Sequence, residues 1–239
     1  MSEEAPLLGR SALVTGASRG IGACIAERLS SAGARVWLLA RSREALEALA
    51  ASIDATALPA DLSDDASVWD AVERLHDSLG GPPDLVVNAA GVFSLAPCAE
   101  ETVRSFDRHL AVNLRGPFLV IRALLPAMLE RGSGLIVNIG SIAGRRPLPG
   151  NAAYSASKYG LRGLHEVLLE ETRGSGVRAT LLEPAATDTS AWDGLDPDAD
   201  PALPDRADML SVEDVAEAVL HVATRPPTVR IPVLQIERS

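Results

Sequence analysis

The chain has 239 residues, of which 47% are hydrophobic and only 3% aromatic, so aliphatic side chains must fill its core. Its formal net charge is −10, and so acidic a surface repels phosphate backbones and anionic headgroups, which argues against nucleic-acid and membrane partners. The two cysteines and four histidines are scattered, so we predict neither a disulfide framework nor a metal site, and the acidic N-terminus without a long apolar run predicts a cytoplasmic protein.

Short apolar runs alternate with segments of helical period along nearly the whole chain. The runs predict strands at 12–15, 35–40, 55–60, 84–88, 135–139, 177–182 and 231–236. Helices are predicted at 20–32, 43–53, 63–81, 99–112, 117–131 and 152–173, with a last one opened by the capping-box sequence Ser211-Val212-Glu213-Asp214. This alternation predicts one α/β domain over residues 1–239, a doubly wound parallel sheet of about seven strands with helices on both faces.

A glycine-rich turn lies between the first strand and the first helix. It reads Thr15-Gly16-Ala17-Ser18-Arg19-Gly20-Ile21-Gly22. Glycine lets a backbone approach a pyrophosphate closely, and the helix that follows presents free N–H groups to the phosphates. An ordinary βα turn would explain the glycines alone, but the flanking strand and helix favour a dinucleotide site.

The turn resembles the TGxxxGxG motif of the short-chain dehydrogenase/reductase family, and the resemblance covers residues 10–190 and, more loosely, the remainder. It implies a single Rossmann-type domain that pairs into a homodimer or homotetramer. It also implies cofactor contacts from the turn, from the two residues after strand three, from an Asn-Ala-Ala-Gly segment and from a Pro-Ala-Ala-Thr-Asp-Thr segment. These residues are Gly16, Ser18, Arg19, Gly20, Ile21, Gly22, Asp61, Leu62, Asn88, Ala89, Gly91, Pro184, Thr187 and Thr189.

Two positions depart from the family's pattern. Ala89 replaces the second asparagine of its NNAG motif, a modest change because the backbone and Asn88 do most of the work there. Ala185 stands where the family usually has glycine, and it would be strained if that position requires a positive φ.

The end of the second strand bears on the choice of cofactor. It reads Leu39-Ala40 and lacks the carboxylate that holds the ribose of NAD, whereas Arg41 and Ser42 follow directly. A guanidinium beside a hydroxyl suits the 2′-phosphate of NADP, and Arg19 resembles a second basic position of NADP-preferring members. Either arginine alone would pass for a solvated surface charge, but together they predict NADPH/NADP as the cofactor.

The sequence Tyr154-Ser155-Ala156-Ser157-Lys158 places a phenol and an ammonium four residues apart on one helix face. A nearby cation lowers the pKa of a phenol from about 10 toward neutrality, as a general acid/base requires. A surface lysine beside a half-buried tyrosine is the alternative, yet Lys158 is the only lysine in the chain. The resemblance implies that both residues also contact the nicotinamide ribose, that Ser141 orients the substrate carbonyl, and that Asn113 holds a water in a proton relay.

These residues predict an NADPH-dependent oxidoreductase that moves a hydride between nicotinamide and a carbonyl/alcohol pair, with Tyr154 as general acid/base. A 3-oxoacyl-thioester reductase is one alternative, although the glycine-rich tail of that branch is absent. A regulatory protein that senses NADPH without chemistry is another.

Residues 188–210 are rich in Asp and Pro and have no clear period. The resemblance implies that they form a lid over the substrate, with a solvated loop as the alternative. Trp192, Phe93 and Leu95 are candidates for the substrate pocket. The Arg145-Arg146 pair would suit an anion, although a solvated loop is the preferred explanation.

Overall fold

The computed structural model describes residues 5–239 and contains a seven-stranded parallel sheet in the order β3-β2-β1-β4-β5-β6-β7. The strands are β1 Ser11–Thr15, β2 Arg35–Ala40, β3 Thr56–Pro59, β4 Leu85–Asn88, β5 Gly134–Ile139, β6 Val177–Pro184 and β7 Val233–Ile236. The helices are α1 Gly20–Ser31, α2 Arg43–Ile53, α3 Asp65–Leu79, α4 Val103–Leu110, α5 Gly116–Arg131, α6 Ala152–Glu171 and α7 Val212–Ala223. The predicted doubly wound α/β fold is confirmed. Because β1 pairs with both β2 and β4, the strand order reverses there and a crevice opens at the carboxyl edge.

Both faces of the sheet are covered by aliphatic side chains. Within β1, Val14 packs into a core with residues of α1 and α7, whereas Leu13 packs into a second core with residues of α3 and α5. Every residue of β1 is buried, as expected of a parallel strand between two helical layers. Each fully buried aliphatic side chain contributes about 1.5–3 kcal/mol, so a chain with few aromatic residues can still be stable.

The helices predicted at 99–112 and 117–131 form one continuous stretch. The first helix begins at Val103, since the Thr102 hydroxyl caps it by accepting the Ser105 N–H at 3.1 Å. A π-turn, Ala111–Arg115, then joins α4 to α5. Pro117 has no amide hydrogen to give to the carbonyl of Asn113 four residues earlier, so the helix widens there instead of ending.

The stretch Val103–Arg131 is long and apolar enough to match a membrane span by length and composition. Its second half, however, lies in the protein core: Leu119, Leu124 and Met128 are each less than 5% exposed and pack with residues of α3 and the sheet. We therefore interpret it as a core helix.

Other elements begin or end within a few residues of prediction. Helix α3 starts at Asp65 because the Asp64 carboxylate, not the predicted Ser63, caps it by accepting the Ala66 N–H at 3.2 Å. It ends at Gly80, which has a φ of 69°, as the glycine pair predicted. The capping box at Ser211 is present, since its side chain and that of Asp214 each accept the other's N–H.

Candidate active site

The carboxyl ends of the central strands open into one cleft of ≈ 1140 Å³. It is lined by eighteen of the twenty residues that the sequence predicts for the site: Gly16, Ser18, Arg19, Gly20, Ile21, Gly22, Arg41, Ser42, Asp61, Leu62, Ala89, Gly91, Ser141, Tyr154, Lys158, Pro184, Thr187 and Thr189. The other two, Asn88 and Asn113, lie behind its wall and are at most 1% exposed. The fold therefore brings the separate motifs to one edge of the sheet.

The glycine-rich turn forms a close backbone cradle at one end of the cleft. Gly16 has a φ of 70°, and a Cβ there would lie 2.5 Å from the Cα of Ala90. A Cβ at Gly22 would lie 2.4 Å from the carbonyl oxygen of Gly16. The first turn of α1 has no side-chain cap, so its N–H groups are available to an anion. This geometry fits the pyrophosphate of a dinucleotide.

Arg41, Ser42 and Arg19 line the cleft at the end of β2, beside Asp61. Burial acts to raise the pKa of Asp61, but hydrogen bonds from Ser63 and the charge of Arg41 hold that pKa below its usual value. The carboxylate accepts the Ser63 N–H at 2.9 Å and its hydroxyl at 2.7 Å. Ser63 therefore holds the Asp61 side chain in place. The sequence predicted Ser63 only as the start of a helix and did not reveal this role. The two arginines fit an anionic group on the ribose.

Lys158 and Tyr154 lie on the cleft-facing side of α6. The Lys158 Nζ donates to the Ile139 carbonyl at 2.9 Å and lies 5.6 Å from the centre of the Tyr154 ring. Burial lowers the pKa of Lys158 to about 8. Burial raises the pKa of Tyr154, and a hydrogen bond with Ser141 opposes that shift in part. In the chain alone the phenol therefore keeps its proton near neutral pH, as a proton donor must.

Asn113 links the loop after β4 to α6. Its Oδ1 accepts the Val92 N–H at 2.8 Å, and its Nδ2 donates to the Val92 carbonyl at 2.9 Å and to the Ser157 hydroxyl at 3.0 Å. Ser157 in turn donates to the carbonyl of Tyr154 at 2.6 Å. The π-turn thus presents an amide that braces the tyrosine's helix, while its part in a water relay stays a prediction.

Asn88 belongs to a buried polar chain that crosses the sheet. Its Nδ2 donates to Asn138 Oδ1 at 2.9 Å, and Asn138 Nδ2 lies 3.4 Å from the Nδ1 of His165. His165 Nε2 lies 2.9 Å from the carbonyl of Pro232, which assigns the proton to that nitrogen. Sequence reasoning did not single out Asn138 or His165, because polar residues in an apolar strand and helix give no motif.

Aromatic side chains line the end of the cleft beyond Tyr154. The centre of the Phe93 ring lies 4.9 Å from the centre of the Tyr154 ring and 4.8 Å from the centre of the Trp192 ring. Leu95 is also in this wall, so the three predicted pocket residues come together. Sequence reasoning missed Arg108, which also lines the cleft. Its place depends on how α4 packs against α6, for which the sequence has no signal.

The proposed anion role of the arginine pair is wrong for Arg145. Neither it nor Arg146 lines the cleft. The guanidinium of Arg145 instead lies 3.4 Å from the carboxylate of Glu183, whose side chain is 1% exposed. A buried carboxylate requires a partner, and Arg145 supplies one.

Residues 188–210 contain three short 3-10 turns: Ser190–Trp192, Pro197–Ala199 and Arg206–Asp208. Arg206 forms ion pairs with Asp188 and Asp193, and the indole N–H of Trp192 donates to the Thr187 carbonyl at 3.1 Å. Trp192 already lies in the cleft wall. Asp54 and Asp196 are the non-glycine residues with positive φ within residues 5–239, so Ala185 is free of the strain considered above.

The described part of the chain contains no group of three or more His, Cys, Asp or Glu side chains that could hold a metal ion.

Known proteins are similar to this chain in sequence and in fold. Residues 10–200 match the family described as short chain dehydrogenase. D-threitol dehydrogenase of Mycolicibacterium smegmatis is 38% identical over 225 residues, covering 90% of this chain and 86% of its own. Glycine betaine reductase ATRR of Emericella nidulans is 36% identical over 97% of this chain, which spans only 19% of that longer protein. A metagenomic short-chain oxidoreductase in complex with NADP has a TM-score of 0.83 and 34% identity, covering 98% of this chain and 99% of that one.

Proposed function

The chain belongs to the short-chain dehydrogenase family and is an oxidoreductase, and from that premise we propose that it uses NADPH to interconvert a carbonyl compound and its alcohol. The observation that carries the proposal is the convergence in one cleft of a glycine cradle and the Ser141–Tyr154–Lys158 group. Bound NADPH would supply the hydride, held along the glycine cradle and past Lys158.

Tyr154 is the proton donor to the carbonyl oxygen in this scheme. Its phenol keeps its proton because burial raises its pKa. The Ser141 hydroxyl is hydrogen-bonded to Tyr154. In this scheme it also orients the carbonyl oxygen of the substrate, on which negative charge develops. Lys158 places a cation 5.6 Å from the ring and stabilises the phenolate left after proton transfer.

Arg41, Ser42 and Arg19 support the preference for NADPH over NADH. They line the end of the cleft where Ala40 leaves no carboxylate for a free ribose hydroxyl. The NADP-bound relative described above agrees with this choice. We propose that Asp61 and Leu62 contact the adenine, and that Pro184, Thr187 and Thr189 contact the nicotinamide.

We further propose that the protein works in the cytoplasm as a homodimer or homotetramer on a small-molecule substrate, in one domain whose segment 188–210 forms a lid. A 3-oxoacyl-thioester reductase is an alternative within the family. A sensor that binds NADPH without chemistry is an alternative outside catalysis, and the buried Tyr154–Lys158 pair argues against it.

Turnover measured with a tyrosine variant tests the proposal. NADPH absorbance is followed over ketones, aldehydes, oxo-acids and, in reverse, small polyols such as threitol. Tyr154→Phe should lower kcat at least about a hundredfold, the contribution of a positioned general acid, while fluorescence titration shows NADPH binding unchanged. The same assay with NADH should give at least about tenfold weaker cofactor binding, the scale of one charge-assisted contact.

Tyr159→Phe is the matched control, because Tyr159 is the chain's other tyrosine, lies on the same helix and is 45% exposed. It should keep full activity. Parent-like turnover by Tyr154→Phe would refute the mechanism, and no turnover by the parent on any substrate would favour the sensor.

A further inference from the structure

The cleft divides into two parts of different character. The charged residues that line it are Arg19, Arg41, Asp61, Arg108 and Lys158, and the proposed function assigns all but Arg108 to the cofactor or to proton transfer. We call the remaining part the substrate wall, formed by Phe93, Leu95, Arg108, Val112, Leu148 and Trp192. It is apolar and aromatic except for one guanidinium.

Arg108 forms no ion pair or side-chain hydrogen bond within the described residues. Arg19 and Arg41, the two arginines proposed to face the cofactor's phosphates, form no ion pair there either. Elsewhere many of the chain's arginines bind a carboxylate, as Arg162 does with Glu183 and Arg206 with Asp188. Arg108 is exposed at the cleft, so its guanidinium is accessible there and is a candidate partner for an anion that arrives with a ligand.

The cleft therefore offers a substrate two separate recognition groups, the Ser141–Tyr154 pair and Arg108. In the proposed function the reacting carbonyl lies at Ser141 and Tyr154. Beside it, the ring centres of Phe93 and Trp192 are 4.8 Å apart. No carboxylate lines the substrate wall, so nothing there competes for Arg108. A planar guanidinium binds a carboxylate through two parallel hydrogen bonds.

We propose that the substrate is a carbonyl or hydroxy acid, in which an apolar or aromatic body separates the reacting carbon from a carboxylate held by Arg108. The inference rests on the proposed function, since it names the substrate class of that same cleft. It makes Arg108 the residue that determines specificity, while the net charge of −10 disfavours anions everywhere else on the surface.

Matched ligand pairs test the proposal. The reacting pair is 4-oxo-4-phenylbutanoate and its methyl ester, which share the ketone and the ring and differ in charge. The non-reacting pair is 4-phenylbutanoate and 4-phenylbutanamide, titrated calorimetrically into the protein with NADP⁺ present. We expect the parent to favour the acid at least about tenfold in kcat/KM and in Kd, as one charge-assisted pair supplies.

Arg108→Gln should abolish both preferences, by lowering kcat/KM and affinity for the acids to about the level of their neutral partners. Arg104→Gln is the matched control, since Arg104 lies one turn earlier on the same helix but does not line the cleft. It should behave like the parent.

Equal binding of acid and amide by the parent, or an acid preference that survives in Arg108→Gln, overturns the inference. A calorimetric preference for the acid that Arg108→Gln abolishes, without turnover of any carbonyl, would keep Arg108 as a carboxylate site and refute the proposed function, so the two failures are distinguishable.

Discussion

Lys158 is a buried cation, and its contribution to the free energy of unfolding depends on pH. Burial lowers its pKa from 10.5 to about 8. Below about pH 8 the folded state must therefore hold an ammonium that water would solvate better. Between about pH 8 and 10 the folded state releases this proton while the unfolded state keeps it, so the free energy of unfolding rises with pH.

We expect the contribution of Lys158 to the free energy of unfolding to become more favourable by up to about 3 kcal/mol across that range. The measurement is urea unfolding of the parent and of Lys158→Met at intervals from about pH 7 to 10, where the difference between them isolates Lys158. Tyr154, whose raised pKa acts in the opposite direction, contributes only above about pH 10. A difference that stays flat or falls over this window would contradict the assigned burial.

Side chains close in sequence could be predicted together, and those joined by the fold could not. Tyr154 and Lys158 are four residues apart, so helical geometry alone puts them on one face. Arg108 and Phe93 line the same cleft only because of how the fold places α4 against α6. Arg145 and Glu183 are far apart in sequence, and the sequence therefore favoured a solvated loop where the structure pairs Arg145 with a buried carboxylate.

At the scale of elements, Glu183 joins four segments that hold the site. It is the penultimate residue of β6, just before the proposed nicotinamide contacts. Its carboxylate accepts from Arg162 Nη1 of α6 at 2.6 Å and from Gln235 Nε2 of β7 at 3.2 Å, and it pairs with Arg145 of the loop after β5 at 3.4 Å. One buried charge thus holds the tyrosine's helix and the serine's loop against the sheet.

Glu183→Ala should lower the free energy of unfolding by about 2–3 kcal/mol, since it removes the carboxylate of Arg145 and the buried one of the two carboxylates that pair with Arg162. Glu166, the other acid that pairs with Arg162, is 61% exposed. Glu166→Ala should therefore lower the free energy of unfolding by less than about 1 kcal/mol. Urea unfolding midpoints of both variants give the comparison. Equal effects would mean that the Glu183 network behaves as a surface ion pair.

The elements themselves follow from the sequence with one exception. Alternating apolar runs and caps locate the strands and helices because each signal lies within its own segment. The π-turn at Ala111–Arg115 was missed, since Gly116-Pro117 normally ends a helix. Tertiary packing continues the helix past that signal, and the resulting widening lets Asn113 bridge Val92 and Ser157.

For the whole molecule, the doubly wound parallel sheet could be predicted from the strand–helix alternation, whereas the conformation of segment 188–210 could not. Its two ends meet: Asp188 N–H donates to the Leu210 carbonyl at 2.8 Å, and Leu210 N–H donates to Ala186 at 2.9 Å. Between them, Leu203 and Trp192 line the cleft. A closed loop that is anchored at its base and touches the cleft supports the proposed lid.

Arg206 holds this segment together, because it forms ion pairs with both Asp188 and Asp193. Thermolysin should cut the free protein near Leu195 and Leu203, which are partly exposed, and spare Leu210, which is 6% exposed. Arg206→Ala should speed this cleavage by releasing both aspartates. Adding NADPH with a non-reacting substrate analogue should slow it severalfold in the parent, since a ligand that binds only the closed loop lowers the population of open conformers. Cleavage at the same rate with and without ligands would mean that the segment is a solvated loop whose conformation the cleft does not control.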